Sequence, residues 1–392
     1  MKITFRILWG LAILLLAAII VAVAIGPGMA ERSMNKVTGQ DLLSISPAAQ
    51  ALHDSLQVAD WHADSLLWNR NLNERSDRGQ VDIPRLQEGN VALQVFTVVT
   101  KTPAGLNYTH NSADSRDNVT LLALAQLWPM RTWQDLTERA LYQSEKLHRF
   151  ASDAPDSLML VKNQADLTRL LTQRAAGKPL VGGMLGTEGS HALAGDLAQI
   201  QRLYDAGFRM MSLHHFFDNA LGGSLHGSGK AGLTDFGRAA IAEMNRLGVI
   251  IDVSHSSPAV VREALSLSKT PLVVSHTGTH GHCASPRNIP DALMEDIARG
   301  GGLVAIGFWS GAICDASPRG IARALKAAVE RLGEDAVALG SDFDGAVATS
   351  IHAGQMAQIT QALLDEGVGA DVIRKVMGGN QLRFLQAQLP PQ

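Results

Sequence analysis

The chain has 392 residues, enough for two average domains or one large barrel and too many for a small stapled scaffold. Lys and Arg number 34 against 37 Asp and Glu, a net charge of -3, so no whole-chain field holds a polyanion and no nucleic-acid partner is expected. Hydrophobic residues at 46% with 37 glycines describe a well-cored protein rich in tight turns, and the two cysteines, Cys283 and Cys314, are too few for a disulfide framework or a cysteine-based structural zinc site.

From Ile7 to Ile25 every residue is uncharged and nearly all are apolar, with Lys2 and Arg6 before the run and Gly26-Pro27-Gly28 after it. About 20 residues cross a hydrocarbon core, whereas the apolar part of a signal peptide runs about 7 to 15. The length fits an uncleaved anchor whose cationic start stays on the cytoplasmic side. The small-residue stretch Gly28-Met29-Ala30 keeps a removed signal open as the alternative. Either reading places the rest of the chain outside the cytoplasm, in the periplasm if the source is bacterial: tethered in the first case, secreted in the second. The expected organisation is a membrane anchor or signal segment over 1–30, a polar linker over 31–50 and a catalytic barrel over 51–392.

Beyond the linker, short apolar runs occur at Val58-Ala59, Val91–Val99, Leu180–Leu185, Phe208–Leu213, Val249–Val253, Pro271–Val274, Leu303–Phe308 and Val337–Leu339. Amphipathic stretches of helical period lie between many of them: Asp196–Ala206, Asp235–Leu247, Pro258–Leu267, Ile289–Arg299 and Ile321–Leu332. Alternating strand and helix predicts α/β with a parallel sheet, and eight strand candidates fit a (β/α)8 barrel of the TIM type better than an open sheet.

In such a barrel the working residues sit at the C-terminal ends of the strands. Six of the eight runs end in His, Asp or Glu: Asp60-Trp61-His62-Ala63-Asp64, Gly186-Thr187-Glu188, His214-His215, Ser254-His255, Ser275-His276 and Ser341-Asp342-Phe343-Asp344. A single histidine at a strand end is most often a hydrogen-bonded rim residue. A His-X-Asp pair on an extended strand, however, projects both side chains to one side, and imidazole with carboxylate is a zinc-type ligand set. Folding does not require several such groups at one end of a barrel, so the pattern points to a metal-dependent hydrolase.

The ordered motifs DWHAD at 60–64, GTEGSH at 186–191, RMMSLHH at 209–215, RLGVIIDVSH at 246–255, SHTGTHGHCASPRNIPD at 275–291 and GSDFDG at 340–345 resemble the membrane (renal) dipeptidases, zinc peptidases related to the amidohydrolase barrels. The likeness runs through nearly the whole domain, and the SH…CASPRNIPD segment is its most specific part. It implies two Zn2+ ions per chain, with His62 and Asp64 on one, His255 and His276 on the other and Glu188 bridging them. It further implies hydrolysis of the peptide bond of dipeptides by a metal-bridging hydroxide. Asp342 matches the acid that takes the proton from the water and passes it to the leaving amine. His215 matches the histidine that polarises the scissile carbonyl and stabilises the oxyanion. Arg287 matches the arginine that pairs with the substrate's free C-terminal carboxylate. An alternative within the same scaffold is an amidohydrolase acting on another exported amide or on a maturation intermediate of a secreted metabolite. Homodimers are common in the family, so one is expected here.

Several assignments have rivals. His214 competes with His215, and strand alternation lets only one of them face the site. Asp344 competes with Asp342, and either can anchor the glycine-rich turn. Arg287 with Asn288 also reads as a structural pair, and His280 and His282 read as loop or pocket residues. The run Ser224–Ala231 lacks the first glycine and final Ser/Thr of a phosphate loop. Family members carry a disulfide at positions matching Cys283 and Cys314, and export permits it; the alternative is two unpaired buried thiols. Ala63 stands where Asn is usual, and His215–Asn219 departs from the common pattern, which bears on side-chain preference. Mammalian members end in a lipid-anchor signal, whereas this chain ends in Leu389-Pro390-Pro391-Gln392, so attachment is expected at the N-terminus.

Overall fold

Each apolar run becomes a parallel strand in the computed structural model, which describes residues 2–392: β1 (Val58–Ala63), β2 (Val91–Val99), β3 (Leu158–Leu160), β4 (Val181–Glu188), β5 (Phe208–Ser212), β6 (Ile250–Asp252), β7 (Val273–Thr277), β8 (Leu303–Ile306) and β9 (Val337–Leu339). Met1 lies outside the described residues, as do the side chains of Lys2, Ile3, Thr4, Arg6 and Ile19, so the expected cationic start is not described. Eight strands close into a ring. β2 pairs with β4 from Leu93↔Gly182 to Val99↔Glu188, the order continues through β5 to β9, and β9 returns to β1 at Asp60↔Leu339. This is the (β/α)8 barrel that the eight runs predict. β3 is an addition: it pairs with Val181–Gly183 along the β4 edge that β5 takes over from Leu185. Three residues, Leu-Met-Leu, are too short a run to stand out from the helix Leu136–Asp153 before them.

Helices cover the ring. Asp235–Leu247 and Pro258–Leu267 have the bounds that their periodicity predicts, with Thr234 and Ser257 as side-chain N-caps. Helix Pro318–Leu332 starts earlier than its apolar pattern, because Ser317 caps it and Pro318 is pre-set for a first turn. The ring strands are buried on both faces, as parallel sheets covered by helices are.

Residues 31–50, which composition presents as a stand-off linker, lie against the domain, with Leu43 N and Ser46 N donating to Gln358 and Gln361 of helix Ala357–Asp365. The apolar N-terminal helix extends over Lys2–Met34, through Pro27, and its last turns dock on the domain. Glu31 is 1% exposed and accepts from Arg70 Nε at 2.5 Å and Arg78 Nε at 2.7 Å. Arg70 also donates to Asp344 and to the Val81 carbonyl. Asn35 Oδ1 accepts from Ala346 N at 2.9 Å, and Thr38 N donates to Thr349 O at 2.8 Å. The segment is therefore a strap across the turn that follows β9.

Truncating one partner of a buried ion pair leaves the other charge uncompensated. Glu31→Ala is expected to lower the unfolding free energy of the full chain by about 3 kcal/mol, read by denaturant titration in detergent. A change within the few tenths of a kcal/mol typical of an exposed pair would show that the strap is not held by this carboxylate.

Candidate metal centre

The strand ends deliver their side chains to one place. His62 lies in β1 and Asp64 just after it, two residues apart on one side of the extended chain. Glu188 is the last residue of β4, and the β2–β4 register sets it level with Val99. Gly189 follows with φ 80°, where a Cβ would stand 2.9 Å from that of His215. His255, after β6, and Asp342, after β9, both adopt positive φ (59° and 62°), a left-handed conformation that His and Asp tolerate better than most residues and that turns the chain sharply at the barrel mouth. His276 lies within β7.

Glu188 is the hub. Its Oε1 is 3.2 Å from Nε2 of both His255 and His276 and 3.6 Å from Nε2 of His62, and its Oε2 is 3.2 Å from Nε2 of His215. His62 Nε2 also lies 3.6 Å from Asp64 Oδ1 and 4.0 Å from Asp342 Oδ1. All of these residues are buried. The outer partners fix the ring tautomers. Ser275 Oγ donates to Asp252 Oδ2 at 2.6 Å, which leaves its lone pairs for Nδ1 of His62 at 3.2 Å and Nδ1 of His276 at 2.9 Å. Both rings then carry their hydrogen on Nδ1 and present bare Nε2 lone pairs towards Glu188. Thr97 Oγ1 donates to Asp64 Oδ1 at 2.6 Å and leaves its second oxygen free of that bond.

The electrostatics fit a cation. Burial, with Asp64 and Asp342 adding to it, holds the Glu188 carboxyl well above the usual range. Burial also pushes Asp342 up to about 8, against the pull of His62. Burial, then nearby positive groups, holds His255 and His276 well below the usual histidine range, so both rings are neutral. His62 Nε2 is buried without a hydrogen-bond partner. Neutral imidazoles beside carboxylates that ionise with difficulty, together with an orphaned ring nitrogen, are what a divalent metal would satisfy. Three overlapping groups, His62-Asp64-Glu188, His62-His276-Asp342 and Glu188-His215-His255, have ligand atoms close enough to share an ion.

The structure also separates the rivals. His215 faces Glu188, with Nδ1 3.3 Å from the Lys101 carbonyl; His214 turns away, its Nδ1 at 3.1 Å from Ser256 Oγ. Asp344 accepts from Ser65 Oγ and Gln80 N, both at 2.6 Å, and from Arg70, so it anchors the turn on which Asp342 stands at the site. Arg287 is 2% exposed. Its Nη2 is 2.9 Å from the His276 carbonyl and 3.1 Å from His255 Nε2, and its guanidinium lies over the Trp309 ring at 5.3 Å. Asn288 beside it is structural, binding Gly278 N, Cys283 O and Ala312 O. Cys283 and Cys314 form a disulfide that fastens the Arg287 loop to the segment after β8. His280 and His282 are exposed on the same loop.

A cavity of about 140 Å3 opens above Glu188, lined among others by Asp64, Tyr108, His215, Phe216, Arg287, Trp309 and Asp342. Sequence reading missed five contributors to this site. Asp252 and Ser275 were legible as Asp-Val-Ser-His and Ser-His at strand ends, but only the histidines draw attention there. Tyr108, whose hydroxyl accepts from Trp309 Nε1 at 2.9 Å, and His226, stacked on Phe216 and held by the Tyr108 carbonyl, come from irregular loops that carry no local signal. Ser224, in the stretch set aside as a phosphate loop, ties the His215 and His255 carbonyls together.

The sequence profile described as membrane dipeptidase (peptidase family M19) matches residues 47–389. Dipeptidase aclJ of Aspergillus oryzae is 28% identical over 365 residues, 87% of this chain and 80% of its own. The probable dipeptidase PvdM of Pseudomonas aeruginosa superimposes with a TM-score of 0.72 at 18% identity, covering 87% of this chain and 97% of the other. A metallo peptidase of Rhodobacter sphaeroides, solved with a phosphinate mimic of the dipeptide L-Ala-D-Ala, does so with a TM-score of 0.68 at 23% identity, covering 85% and 99%. The structural likenesses show the same barrel.

Asp252→Asn removes the anion that draws the Ser275 hydroxyl hydrogen away from the two histidines. Divalent-metal affinity, followed by calorimetric titration of chelator-treated protein, is expected to fall roughly 10- to 100-fold with the fold retained. Unchanged affinity would mean that this relay does not set the ring tautomers.

Proposed function

Because the chain belongs to the membrane dipeptidase family, we propose that it is a two-zinc dipeptidase cleaving dipeptides that carry a free C-terminal carboxylate. The observation that carries the reading is the position of Glu188 Oε1, within 3.6 Å of three imidazole Nε2 atoms that come from three different strand ends. His62 and Asp64 would hold one ion and His255 and His276 the other, with Glu188 available to both. When bound, the ions supply Lewis acidity and lower the pKa of an attacking water towards neutrality.

The chain's own groups do the rest. Asp342, 4.0 Å from His62 Nε2 and on the wall of the cavity, is placed to take the proton from the attacking water and pass it to the departing amine. His215, held down at about 4 by burial, is a neutral ring with Nε2 towards Glu188; it donates to the developing oxyanion in the tautomer that carries its hydrogen on Nε2 and gives up the 3.3 Å bond to the Lys101 carbonyl. Arg287 receives the substrate carboxylate: its planar fork is buried, is fixed by the His276 carbonyl and borders the cavity. The small cavity, about 140 Å3 with Arg287 and Glu188 both on its wall, favours a substrate of two residues. The ligand bound by the Rhodobacter relative supports extending this to dipeptides with a C-terminal D-residue. The N-terminal helix, of a length and apolarity sufficient to cross a membrane, is an anchor that holds the catalytic domain outside the cytoplasm.

Arg287→Ala is expected to raise KM for free dipeptides roughly 10- to 100-fold, the worth of a charge-assisted hydrogen bond, and to change KM little for the same dipeptides amidated at the C-terminus. An equal effect on both would remove Arg287 from carboxylate recognition. Asp342→Asn is expected to lower kcat by about 10²- to 10⁴-fold with metal content retained; near-normal kcat would assign the proton to another group.

A further inference from the structure

The exposed apolar side chains are unevenly distributed. Beyond residue 47, six large hydrophobic residues are exposed among the described residues. Five of them, Leu106, Leu121, Leu124, Leu127 and Met130, belong to the segment that follows β2; Leu267 alone lies elsewhere. Leu127 and Met130 are 70% and 76% exposed. This segment leaves the C-terminal end of β2, the same end of the barrel as Glu188, and Leu106 borders the cavity above the site. From Leu121 to Met130 the exposed residues recur at every third position. Their neighbours Val119, Ala123 and Trp128 are buried with Leu67, Trp68 and Val99. The segment thus has a small core of its own and presents a second apolar row to the outside.

That row stands beside the N-terminal helix. Helix Asn118–Ala125 packs against Lys2–Met34, the helix that carries the uncharged run Ile7–Ile25. Among the described side chains the run is exposed as far as Ala22, and Val23 is the first that the domain partly covers. From there Val23–Met29 form one wall of a cleft whose other wall is Asn69 and Arg78. One turn further on, Glu31 is locked to Arg70 and Arg78, so the end of the membrane-length run has a fixed place at the barrel mouth. A bilayer that takes up the run to about Val23 therefore has the apolar row at its surface.

We propose that Leu106, Leu121, Leu124, Leu127 and Met130 form a second membrane contact, dipping into the lipid surface that the N-terminal helix enters, so that the site opens at the bilayer. This rests on the reading of that helix as an anchor. The stretch Asn118–Met130 carries no charged residue and its exposed leucine and methionine side chains suit the acyl boundary, with Arg131 at its end, while the helix supplies the attachment that five side chains alone do not. The pocket then draws its dipeptide from the layer of water next to the membrane.

The test uses the full chain in phosphatidylcholine nanodiscs. Cys283 and Cys314 are bonded to each other and no other cysteine is present, so single nitroxide labels can be placed cleanly. The positions are Leu127→Cys and Met130→Cys in the row, Leu15→Cys in the helix and Lys269→Cys on the exposed turn before β7. Labels at 127 and 130 are expected to show the high oxygen and low nickel-chelate accessibility of the label at 15, with 269 fully aqueous. Aqueous behaviour at 127 and 130 with a lipid-embedded label at 15 overturns the second contact while keeping the anchor. An aqueous label at 15 removes the anchor reading and the proposal with it. Spin–spin broadening at 127 or 130 would show a second copy covering the row, which also overturns the proposal.

Discussion

Glu188 sits at the mouth of a closed barrel, out of water, with the carboxylates of Asp64 and Asp342 close by and Arg287 the cation that most offsets its own charge. Desolvation and like charge both oppose its ionisation, so the cluster is at ease only when positive charge enters it. Much of the surrounding construction serves this condition. The imidazoles of His255 and His276 are kept neutral by burial, and those of His62 and His276 are oriented through Ser275 so that their bare nitrogens face the same point. The positive φ at His255 and Asp342 is a local backbone cost that the neighbouring strands and turns hold in place.

The support extends well beyond the ligands. Asp60 accepts from Ser341 N and Oγ and from Gln94 Nε2, which ties β1 to β2 and to the start of the turn that carries Asp342. Asp344 fastens the other end of that turn through Ser65, Gln80 and Arg70, and Arg70 passes the connection to Glu31 at the end of the N-terminal helix. A continuous chain of buried polar contacts therefore runs from the apolar N-terminal helix to the turn of the proposed proton carrier. Buried networks of this kind are favourable only when every member is satisfied, which makes the strap part of the site's architecture.

What the sequence reveals and what it hides follow from the range of the interactions. The eight ring strands are legible because apolar runs bounded by turn residues are local, and the site residues are legible because a barrel gathers strand ends whatever the loops do. His62 and Asp64 share a face by strand alternation alone. The choice of His215 over His214 and of Asp342 over Asp344 needs the register after the strand, where the chain turns and alternation lapses. Glu31 and Asn35 read as linker residues because their partners, Arg70 and Ala346, are far away in sequence. Asp252 and Ser275 escape notice for a related reason: their work is done on histidines that are themselves the conspicuous residues. Tyr108 and His226 meet across the mouth from two long loops, and no periodicity announces such a contact.

The most direct measurement is the zinc content of the purified full chain, taken together with hydrolysis of L-alanyl-L-alanine before and after chelation, in the wild type and in Glu188→Gln. Two zinc ions per wild-type chain, activity lost on chelation and restored by zinc, and loss of both tight binding and turnover in Glu188→Gln are the expected results. Turnover that survives complete removal of metal, or two tightly bound ions in Glu188→Gln, would contradict a centre built around this carboxylate.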